Sequence, residues 1–267
     1  MTAAPVQGED GLVLHQHDAH GVHRLTLNSP KSFNVLGEAV LGELQRQFDA
    51  IGADPTARVL VIAAEGKAFC AGHDLKQMKA NPQLAYYQRL FAQCSKMMLS
   101  IQKLPVPVIA RVQGLATAAG CQLVAQCDLA VAAESARFGV NGIDVGLFCA
   151  TPSVPLVRNM QPKQAMEMLL TGGFIDAEEA RARGLVNRVV PAEHLDTATD
   201  TLIERIAQGP TLAYGAMKRL MRASFDRDLD TQLIAETAAF AGCAATEDLR
   251  AGIEAFFEKK TPVFEGR

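Results

Sequence analysis

The chain lacks several residue patterns that would fix its class at once. It has 267 residues but no tryptophan, and only 6% of its residues are aromatic. Its six cysteines form no Cys-x-x-Cys pair, and several of them lie inside apolar runs. This pattern is typical of buried, reduced thiols in an intracellular protein and not of a disulfide framework.

Signals for membranes, secretion and nucleic acids are also missing. No uninterrupted apolar stretch is long enough to cross a bilayer. The first ten residues, which we expect to be disordered, have neither the basic region nor the apolar core of a secretory signal. A net charge of -3 argues against general nucleic-acid binding, although it leaves room for a local basic patch. These absences predict a cytoplasmic protein with no membrane or nucleic-acid partner.

No familiar nucleotide or nucleophile motif is present. Gly66-Lys67 is not followed by the Gly-Lys-Ser/Thr of a phosphate-binding P-loop. A Gly-x-Gly-x-x-Gly turn and a Gly-x-Ser-x-Gly elbow are both missing, so a dinucleotide fold and an α/β-hydrolase are unsupported. Cys121 lies in an apolar helical segment without a nearby histidine, which favours a core thiol over a nucleophile.

A histidine cluster near the N-terminus is the one pattern that suggests a metal. It comprises His15, His17, His20 and His23, with Asp18 among them. The spacing fits no compact helical pair of ligands. We interpret these residues as solvent-facing positions of two paired strands and the turn between them, and we expect no metal centre.

What the chain does contain is enough apolar sequence for a sizeable core. Hydrophobic residues make up 49% of the chain and charged residues 21%, which predicts a folded protein. Apolar residues recur at helical spacing over residues 36–51, with Gly52 as the expected stop, and again over residues 83–102. Residues 139–152 are expected to form a glycine-containing loop.

The order of these segments predicts an α/β protein. We expect a core over residues 1–195 and an almost wholly helical C-terminal region over residues 196–267. That region either caps the core or mediates assembly.

Two glycine-containing loops carry the most specific pattern. The first, residues 66–76, follows a buried strand over Val59–Ala64, and the second, residues 114–120, follows an apolar run at 107–112. The second loop leads into a helix, and small side chains leave its backbone N–H groups accessible. The positive end of a helix dipole stabilises negative charge. We predict that the two loops meet around one oxygen atom.

The two loops also carry a family resemblance. Residues 64–76, Ala-Glu-Gly-Lys-Ala-Phe-Cys-Ala-Gly-His-Asp-Leu-Lys, resemble the first signature of the enoyl-CoA hydratase/isomerase (crotonase) superfamily, and residues 114–128 resemble its second. Within it, the His-Asp-Leu and Leu-Ala-Thr-Ala-Ala-Gly-Cys-Gln variants are similar to the enoyl-CoA hydratase domain-containing protein 3 subgroup. The resemblance covers nearly the whole chain. It implies a crotonase-like spiral of strand–strand–helix (ββα) units with a C-terminal helical trimerisation region.

The resemblance also implies an acyl-CoA thioester ligand, and with it a place in fatty acid metabolism. Coenzyme A would be part of the substrate, so no separate cofactor is expected. Matching motif to motif, the resemblance implies that the backbone N–H groups of His73 and Ala119 form the oxyanion hole. The His73 side chain then either lines the pocket or acts as a catalytic imidazole. The same match implies a homotrimer or a dimer of trimers.

The coenzyme A contacts follow from the same match. Ala71, Leu75 and Lys76 correspond to positions around the adenine and the phosphates, and a lysine on a flexible stem suits a phosphate. Phe264 corresponds to a C-terminal aromatic residue that reaches a neighbouring subunit's coenzyme A in some relatives.

Two carboxylates of the hydratase pattern are missing. Hydratases of this superfamily use two glutamates for proton transfer, a contribution of roughly 10²–10⁴-fold. The first position is Gln122, which can orient water but cannot accept a proton at neutral pH, and the second is Gly142. The usual three glycines before the first glutamate are Ala118-Ala119-Gly120, and alanine disfavours a positive φ.

Few residues stand near enough in sequence to replace these carboxylates. Asp144 would share the face of the second glutamate on an extended segment, so it is either an active carboxylate or a structural or interface residue. Asn141 and Cys149 lie in the same segment.

Three functions stay open at this point. The first is an acyl-CoA lyase or isomerase that keeps the oxyanion hole, although the missing carboxylates argue against efficient 2-enoyl-CoA hydration. The second is an acyl-CoA decarboxylase or double-bond isomerase, which needs less proton transfer. The third is a catalytically silent acyl-CoA-binding protein.

Overall fold

The computed structural model describes residues 11–266, together with the backbone of Val6 and Gln7. The disorder expected for the first ten residues therefore lies largely outside the described residues. The strands, in chain order, are β1 (Val6–Gln7), β2 (Val13–His17), β3 (Val22–Leu27), β4 (Val59–Ala64), β5 (Ala68–Cys70), β6 (Val108–Val112), β7 (Leu115–Thr117), β8 (Leu129–Ala133), β9 (Arg137–Gly139), β10 (Phe174–Asp176) and β11 (Arg188–Val190).

Helices separate most of these strands and fill the C-terminal third. They are α1 (Glu38–Ala53), α2 (Leu75–Ala80), α3 (Leu84–Lys103), α4 (Ala119–Gln126), α5 (Ala150–Asn159), α6 (Pro162–Thr171), α7 (Ala177–Ala182), α8 (Leu195–Ala207), α9 (Thr211–Ala223), α10 (Leu229–Ala244) and α11 (Glu247–Glu258). Short 3₁₀ helices cover Pro30–Ser32, Asn141–Val145 and Ala192–His194.

The strands form two sheets that share a repeating connection. The larger sheet has the order β1-β2-β3-β4-β6-β8-β11, and the smaller has the order β10-β9-β7-β5. Each of the pairs β4–β5, β6–β7 and β8–β9 places its first strand in the larger sheet and its second in the smaller one, and helices follow each pair. This repeat of two strands and a helical segment is the predicted ββα unit.

The larger sheet is covered on both faces. β4 is buried at every position, as the continuous apolar run Val-Leu-Val-Ile-Ala-Ala predicts for a parallel strand between two layers. Alternate residues Leu60 and Ile62 join the main core with α1 and α3, while Val59 and Val61 join a second core with α8. Helix α8 therefore completes the sheet's second face.

The strands around the histidine cluster are confirmed, but one side chain is not solvent-facing. β2 and β3 pair antiparallel, and His23 is only 4% exposed. Its Nε2 atom lies 3.3 Å from Asp54 Oδ2, and its Nδ1 atom lies 3.0 Å from His15 Nε2. Burial lowers the pKa of both histidines, that of His15 to about 4. Among the described residues, no group of His, Cys, Asp and Glu is arranged to hold a metal.

Two helix boundaries differ from the sequence prediction. α1 continues through Gly52 to Ala53 and is stopped by Asp54, whose Oδ1 accepts hydrogen bonds from the N–H and the hydroxyl of Thr56. Residues 139–152 are not all loop, because α5 already begins at Ala150.

Prolines explain why α5 is hard to find in the sequence. Pro152 lies in its first turn, where a missing N–H breaks no helical bond. Pro155 lies further inside, and its carbonyl accepts a hydrogen bond from Asn159 Nδ2 at 2.7 Å. The same Nδ2 donates to Ala125 O at 3.0 Å, which ties α5 to α4.

A buried ion pair attaches the C-terminal helices to the core. Lys218 on α9 is 7% exposed, and its Nζ atom lies 2.6 Å from Asp128 Oδ2. The same Nζ donates to Ile101 O and Val106 O. Burial lowers the pKa of Lys218, and the neighbouring carboxylate opposes that shift. In the part of the chain that the structure describes, no helix has the length and apolar character needed to span a bilayer.

Candidate active site

The two glycine-containing loops meet, as predicted, and glycines allow the approach. A Cβ atom on Gly114 would lie 2.0 Å from Lys67 O, and one on Gly120 would lie 2.0 Å from Cys70 O. Both neighbours are backbone atoms, which cannot move aside as a flexible side chain would. Glycine is therefore required at both positions. At Gly114 the start of the second loop lies against Lys67 of the first loop, and at Gly120 the start of α4 lies against the end of β5.

Residues Gly72, His73, Ala118 and Ala119 form one side of the meeting point, which we call the amide wall. Gly72 has φ +87°, and a Cβ atom there would lie 2.9 Å from Ala118 Cβ and 3.2 Å from Ala119 N. Ala119 is the first residue of α4, so its N–H has no acceptor within the helix. The segment before His73 is held because Gly72 O accepts from Leu36 N–H at 2.7 Å.

Ala118 adopts the backbone conformation that alanine disfavours. Its φ is +50° and its ψ is -121°, a strained region for a residue with a Cβ atom that costs on the order of 1–3 kcal/mol. The strain persists because Ala118 N–H donates to Gly139 O at 2.9 Å, and Ala118 O accepts from Gln122 N–H at 3.0 Å. The chain thus keeps the turn geometry of the missing glycine.

Asn34 anchors the first loop, and sequence reasoning missed it. Its side chain is 2% exposed, and Nδ2 donates to Glu65 O and Ala68 O at 2.9 and 2.8 Å. Its Oδ1 accepts from Ser29 N–H at 2.8 Å. These bonds fix the turn after β3 to both ends of the turn that leads into β5.

A cavity of about 410 Å³ opens beside the amide wall. Its walls are mostly apolar and come from both loops, from α2 and α3 and from the segment that leads into α5. The residues that line it are Ala71, His73, Leu75, Met78, Phe91, Thr117, Ala118, Ala119, Asn141, Gly142, Val145, Leu147, Phe148, Cys149, Ala150, Thr151 and Pro152. The structure thus brings together four of the predicted site residues, namely Ala71, His73, Leu75 and Ala119.

Residues 141–149 form the opposite side, which we call the apolar wall. Val145 and Phe148 are 57% and 77% exposed. At its base, Gly142 N–H donates to Cys149 Sγ at 3.2 Å, and a Cβ atom on Gly142 would lie 2.8 Å from that sulfur. Burial raises the pKa of the Cys149 thiol, which keeps it neutral. A cysteine sulfur therefore fills the space next to the position where the superfamily pattern has its second glutamate.

Two of the predicted catalytic residues do not line this cavity. Gln122 is buried at 3% exposure, and its Oε1 atom has no hydrogen-bond partner among the described residues. Asp144 is exposed, and its Oδ1 atom lies against Gly172, 3.0 Å from where a Cβ atom of that residue would stand. This placement favours the structural alternative for Asp144 over an active carboxylate.

The two remaining predicted contacts also lie away from the cavity. Lys76 is exposed in the first turn of α2, where its N–H donates to Asp74 Oδ1. Phe264 packs near Gly252 of α11, and its carbonyl accepts from Arg58 Nη2 at 3.2 Å. A coenzyme A moiety would have to extend out of the cavity to reach Lys76, and a second subunit would have to supply Phe264.

The His73 side chain makes contacts of its own at the edge of the cavity. Its Nδ1 atom lies 3.4 Å from Leu36 O, and its ring meets that of Phe91 edge to face, with 4.9 Å between centroids. Its Nε2 atom is buried without a hydrogen-bond partner among the described residues. Burial lowers the pKa of His73. No local sequence pattern predicts these contacts, because Leu36 and Phe91 are far from His73 in the chain.

The enoyl-CoA hydratase/isomerase family model matches residues 17–267, and the chain belongs to this family. It is 40% identical over 253 residues to the mitochondrial enoyl-CoA hydratase domain-containing protein 3 of Xenopus laevis, covering 92% of this chain and 83% of that one. Among solved structures it is similar to an enoyl-CoA hydratase of Mycobacterium smegmatis, with a TM-score of 0.93, 48% identity and coverage of 95% and 98%. Human enoyl-CoA hydratase domain-containing protein 3 gives a TM-score of 0.90, 39% identity and coverage of 95% and 100%.

These similarities confirm the family, the subgroup resemblance and the crotonase-like fold. They overturn one prediction. The name of the Xenopus laevis relative places that protein in mitochondria, so the cytoplasmic location predicted from the missing targeting signals is wrong.

Proposed function

We propose that the cavity binds an acyl-CoA thioester and that the amide wall stabilises an enolate-type anion on the thioester oxygen. The observation that carries this proposal is the close packing of Gly72 against Ala118 and Ala119. It brings the backbone segment of His73 next to the start of α4. Two fixed N–H donors at a developing oxyanion are the largest single contribution in many acyl-transfer enzymes, and losing one costs on the order of 10²–10³ in rate.

The shape and chemistry of the cavity support an acyl ligand. Apolar side chains such as Met78, Phe91 and Phe148 surround a small number of polar groups, which is typical of a site that holds an acyl chain in one orientation. Leu75 and Ala71 lie at the cavity on the side of α2, and Lys76 follows on the outer surface of that helix. We assign to Lys76 a contact with the phosphates of coenzyme A.

The missing carboxylates point to enolate chemistry rather than water addition. Among the described residues that line the cavity, none carries a carboxylate. A hydratase needs groups that activate water and return a proton to carbon. Decarboxylation to an enolate depends mainly on the oxyanion donors. Double-bond isomerisation needs one base in addition to these donors. The experiment below distinguishes such an enzyme from a catalytically silent acyl-CoA-binding protein.

The test is the binding of acetoacetyl-CoA, whose enolate absorbs in the near ultraviolet. We expect the bound ligand to be enriched in enolate relative to free ligand at the same pH, because the two amides stabilise the anion. Ala119→Pro removes one of these N–H groups at the first position of a helix, where proline is tolerated. It should abolish the enrichment.

Leu84→Pro is the matched control, because Leu84 is also a first helical residue and does not line the cavity. Calorimetry measures binding independently, since the chain has no tryptophan to report it. Binding without enolate enrichment in the wild type would indicate a carrier of acyl-CoA, and no binding would contradict the proposal.

We also infer that the chain assembles as a homotrimer or a dimer of trimers. The C-terminal helices expose large apolar side chains, including Ile234, Phe240, Phe256 and Phe257, each more than 70% exposed. Exposed apolar surface of this extent marks an interaction site. Sedimentation of the wild type against Phe256→Ser/Phe257→Ser tests this, and a wild-type monomer would contradict it.

A further inference from the structure

The side chain of His73 has a role that its backbone amide does not explain. A carbonyl oxygen accepts hydrogen bonds and cannot donate them. Because His73 Nδ1 lies 3.4 Å from Leu36 O, the contact favours the neutral tautomer that carries its proton on Nδ1. In this tautomer the lone pair of the ring stands on Nε2, so His73 is an acceptor at that atom.

This lone pair has no partner of its own. Nε2 is buried, and no described residue donates to it. An unsatisfied buried acceptor costs about 1–3 kcal/mol, so a group that enters the site is its natural partner. Since His73 is one of the residues that line the cavity, a ligand bound there is the candidate partner of this nitrogen.

The other titratable groups nearby do not compete for this role. Cys149 shares the cavity, but its thiol is kept neutral by burial and its sulfur already accepts from Gly142 N–H. Asp74 follows His73, but its carboxylate caps α2 by accepting from Lys76 and Gln77 N–H. The ring of Phe91 and the carbonyl of Leu36, which pack against the imidazole, carry no charge.

We propose that Nε2 of His73 is the base that removes a proton from the α-carbon of the bound acyl-CoA thioester. This inference rests on the proposed function, since the oxygen of the same thioester would lie against the His73 and Ala119 amides. The C–H bond breaks, its proton goes to Nε2, and its electron pair forms the enolate. The imidazolium then holds the proton next to the enolate, whose oxygen the two amides stabilise.

The carbon atom that receives the proton back from Nε2 decides which product forms. Delivery to the α-carbon regenerates the thioester, and repeated cycles in heavy water replace the α-hydrogen with deuterium. Delivery to the γ-carbon of a 3-enoyl thioester produces the 2-enoyl isomer, with no atom gained or lost. One residue would thus supply both an oxyanion donor and a base at a cavity whose described lining residues carry no carboxylate.

The test follows deuterium exchange at the α-carbon of butyryl-CoA by mass spectrometry. His73→Gln keeps the backbone N–H but has no basic nitrogen. We expect exchange to fall about 100-fold or more, while the enolate enrichment of acetoacetyl-CoA is retained. His194→Gln changes an exposed histidine in a 3₁₀ helix outside the cavity and should leave exchange unchanged.

The pH dependence of the wild-type exchange rate gives a second readout that needs no variant. The base must be neutral, so the rate should fall as the pH drops through an apparent pKa below 6.5, in the direction that burial imposes on His73. ¹⁵N spectra of histidine-labelled protein should show His73 as the neutral Nδ1–H tautomer at pH 7.

The outcomes separate the two proposals. Enolate enrichment with exchange that persists in His73→Gln, or with no exchange in the wild type, overturns His73 as the base but leaves the oxyanion hole. Loss of enolate enrichment in the wild type overturns the proposed function itself. A protonated imidazole or the Nε2–H tautomer at pH 7 contradicts the role even if the variant does not fold.

Discussion

The amide wall and the apolar wall face one cavity but are built in opposite ways. The amide wall consists of backbone that is packed closely against other backbone. Next to it, for example, a Cβ atom on Gly120 would lie only 2.0 Å from Cys70 O. The apolar wall consists of side chains, of which Phe148 is 77% exposed. An anion site made of N–H groups does not depend on side-chain identity at His73 or Ala119. Proton transfer does, so the proposed oxyanion site is compatible with the loss of the carboxylates at positions 122 and 142.

The largest expected effect comes from restoring the two missing carboxylates, at Gly142 on the apolar wall and at Gln122 on α4, the helix that begins in the amide wall. Gln122→Glu/Gly142→Glu/Cys149→Ala should raise crotonyl-CoA hydration by roughly 10²–10⁴-fold, the usual contribution of positioned acid–base groups. Cys149→Ala is part of the variant because a Cβ atom at Gly142 would lie 2.8 Å from the cysteine sulfur. Loss of the conjugated thioester absorbance measures the rate.

The double variant Gln122→Glu/Gly142→Glu, which keeps Cys149, is the control for that crowding. Its rate of crotonyl-CoA hydration should rise less than that of the triple variant. If the triple variant binds crotonyl-CoA but hydrates it no faster than the wild type, the two walls are not the independent units described above.

Breaking the amide wall gives the next effect. Gly72→Ala places a Cβ atom 2.9 Å from Ala118 Cβ at a φ of +87°, so the two loops must separate. The loss of one aligned donor predicts a decrease in α-proton exchange of roughly 10²–10³-fold. Exchange and enolate absorbance should fall together.

Gly146→Ala is the matched control on the apolar wall. Gly146 also has a positive φ, +73°, but a Cβ atom there meets nothing within 4 Å. It carries the same backbone penalty without the contact. Equal losses of exchange in both variants would show that backbone strain, and not the meeting of the loops, governs activity.

A smaller effect is expected at the exposed rim of the apolar wall. Phe148→Ser removes apolar surface from the cavity and should weaken butyryl-CoA binding by about 1 kcal/mol, or roughly fivefold. The enolate fraction of bound acetoacetyl-CoA should not change, because the amides are untouched. Calorimetry measures the first and absorbance the second, with Leu84→Ser as a control at an exposed apolar residue outside the cavity. A drop in the enolate fraction would show that the rim also orients the thioester.

The same contrast explains what the sequence could and could not predict. Local patterns sufficed for β4, whose apolar run is buried throughout, and for α3, which begins one residue after the predicted start. The meeting of the loops was predicted from small residues that directly follow two buried strands, and the structure adds that the neighbours of Gly114 and Gly120 are backbone atoms. α5 was not predicted because a proline such as Pro155 disfavours the interior of a helix. In the structure, packing against α4 stabilises this helix nevertheless.

The side chains of the site were less accessible to sequence reasoning. The oxygen that lies against His73 Nδ1 belongs to Leu36, which is 37 residues away. The position of Asp144 is set by the 3₁₀ turn over Asn141–Val145. Both depend on tertiary contacts that no local spacing encodes. Backbone features of the site were therefore predictable, whereas the orientations of its acid–base groups were not.

The smallest expected effect concerns the strain within the amide wall. Ala118 has φ +50°, and the 1–3 kcal/mol cost of that conformation exceeds the 0.5–1 kcal/mol entropic cost of glycine, so Ala118→Gly should stabilise the fold by about 1 kcal/mol. Urea unfolding followed by circular dichroism measures this change. Enolate enrichment should stay at the wild-type level, because the Ala118 N–H bond to Gly139 O holds the turn with either residue. A destabilised variant with reduced enrichment would instead show that the Ala118 methyl group is needed to hold Gly72 in place, and that the amide wall depends on a side chain after all.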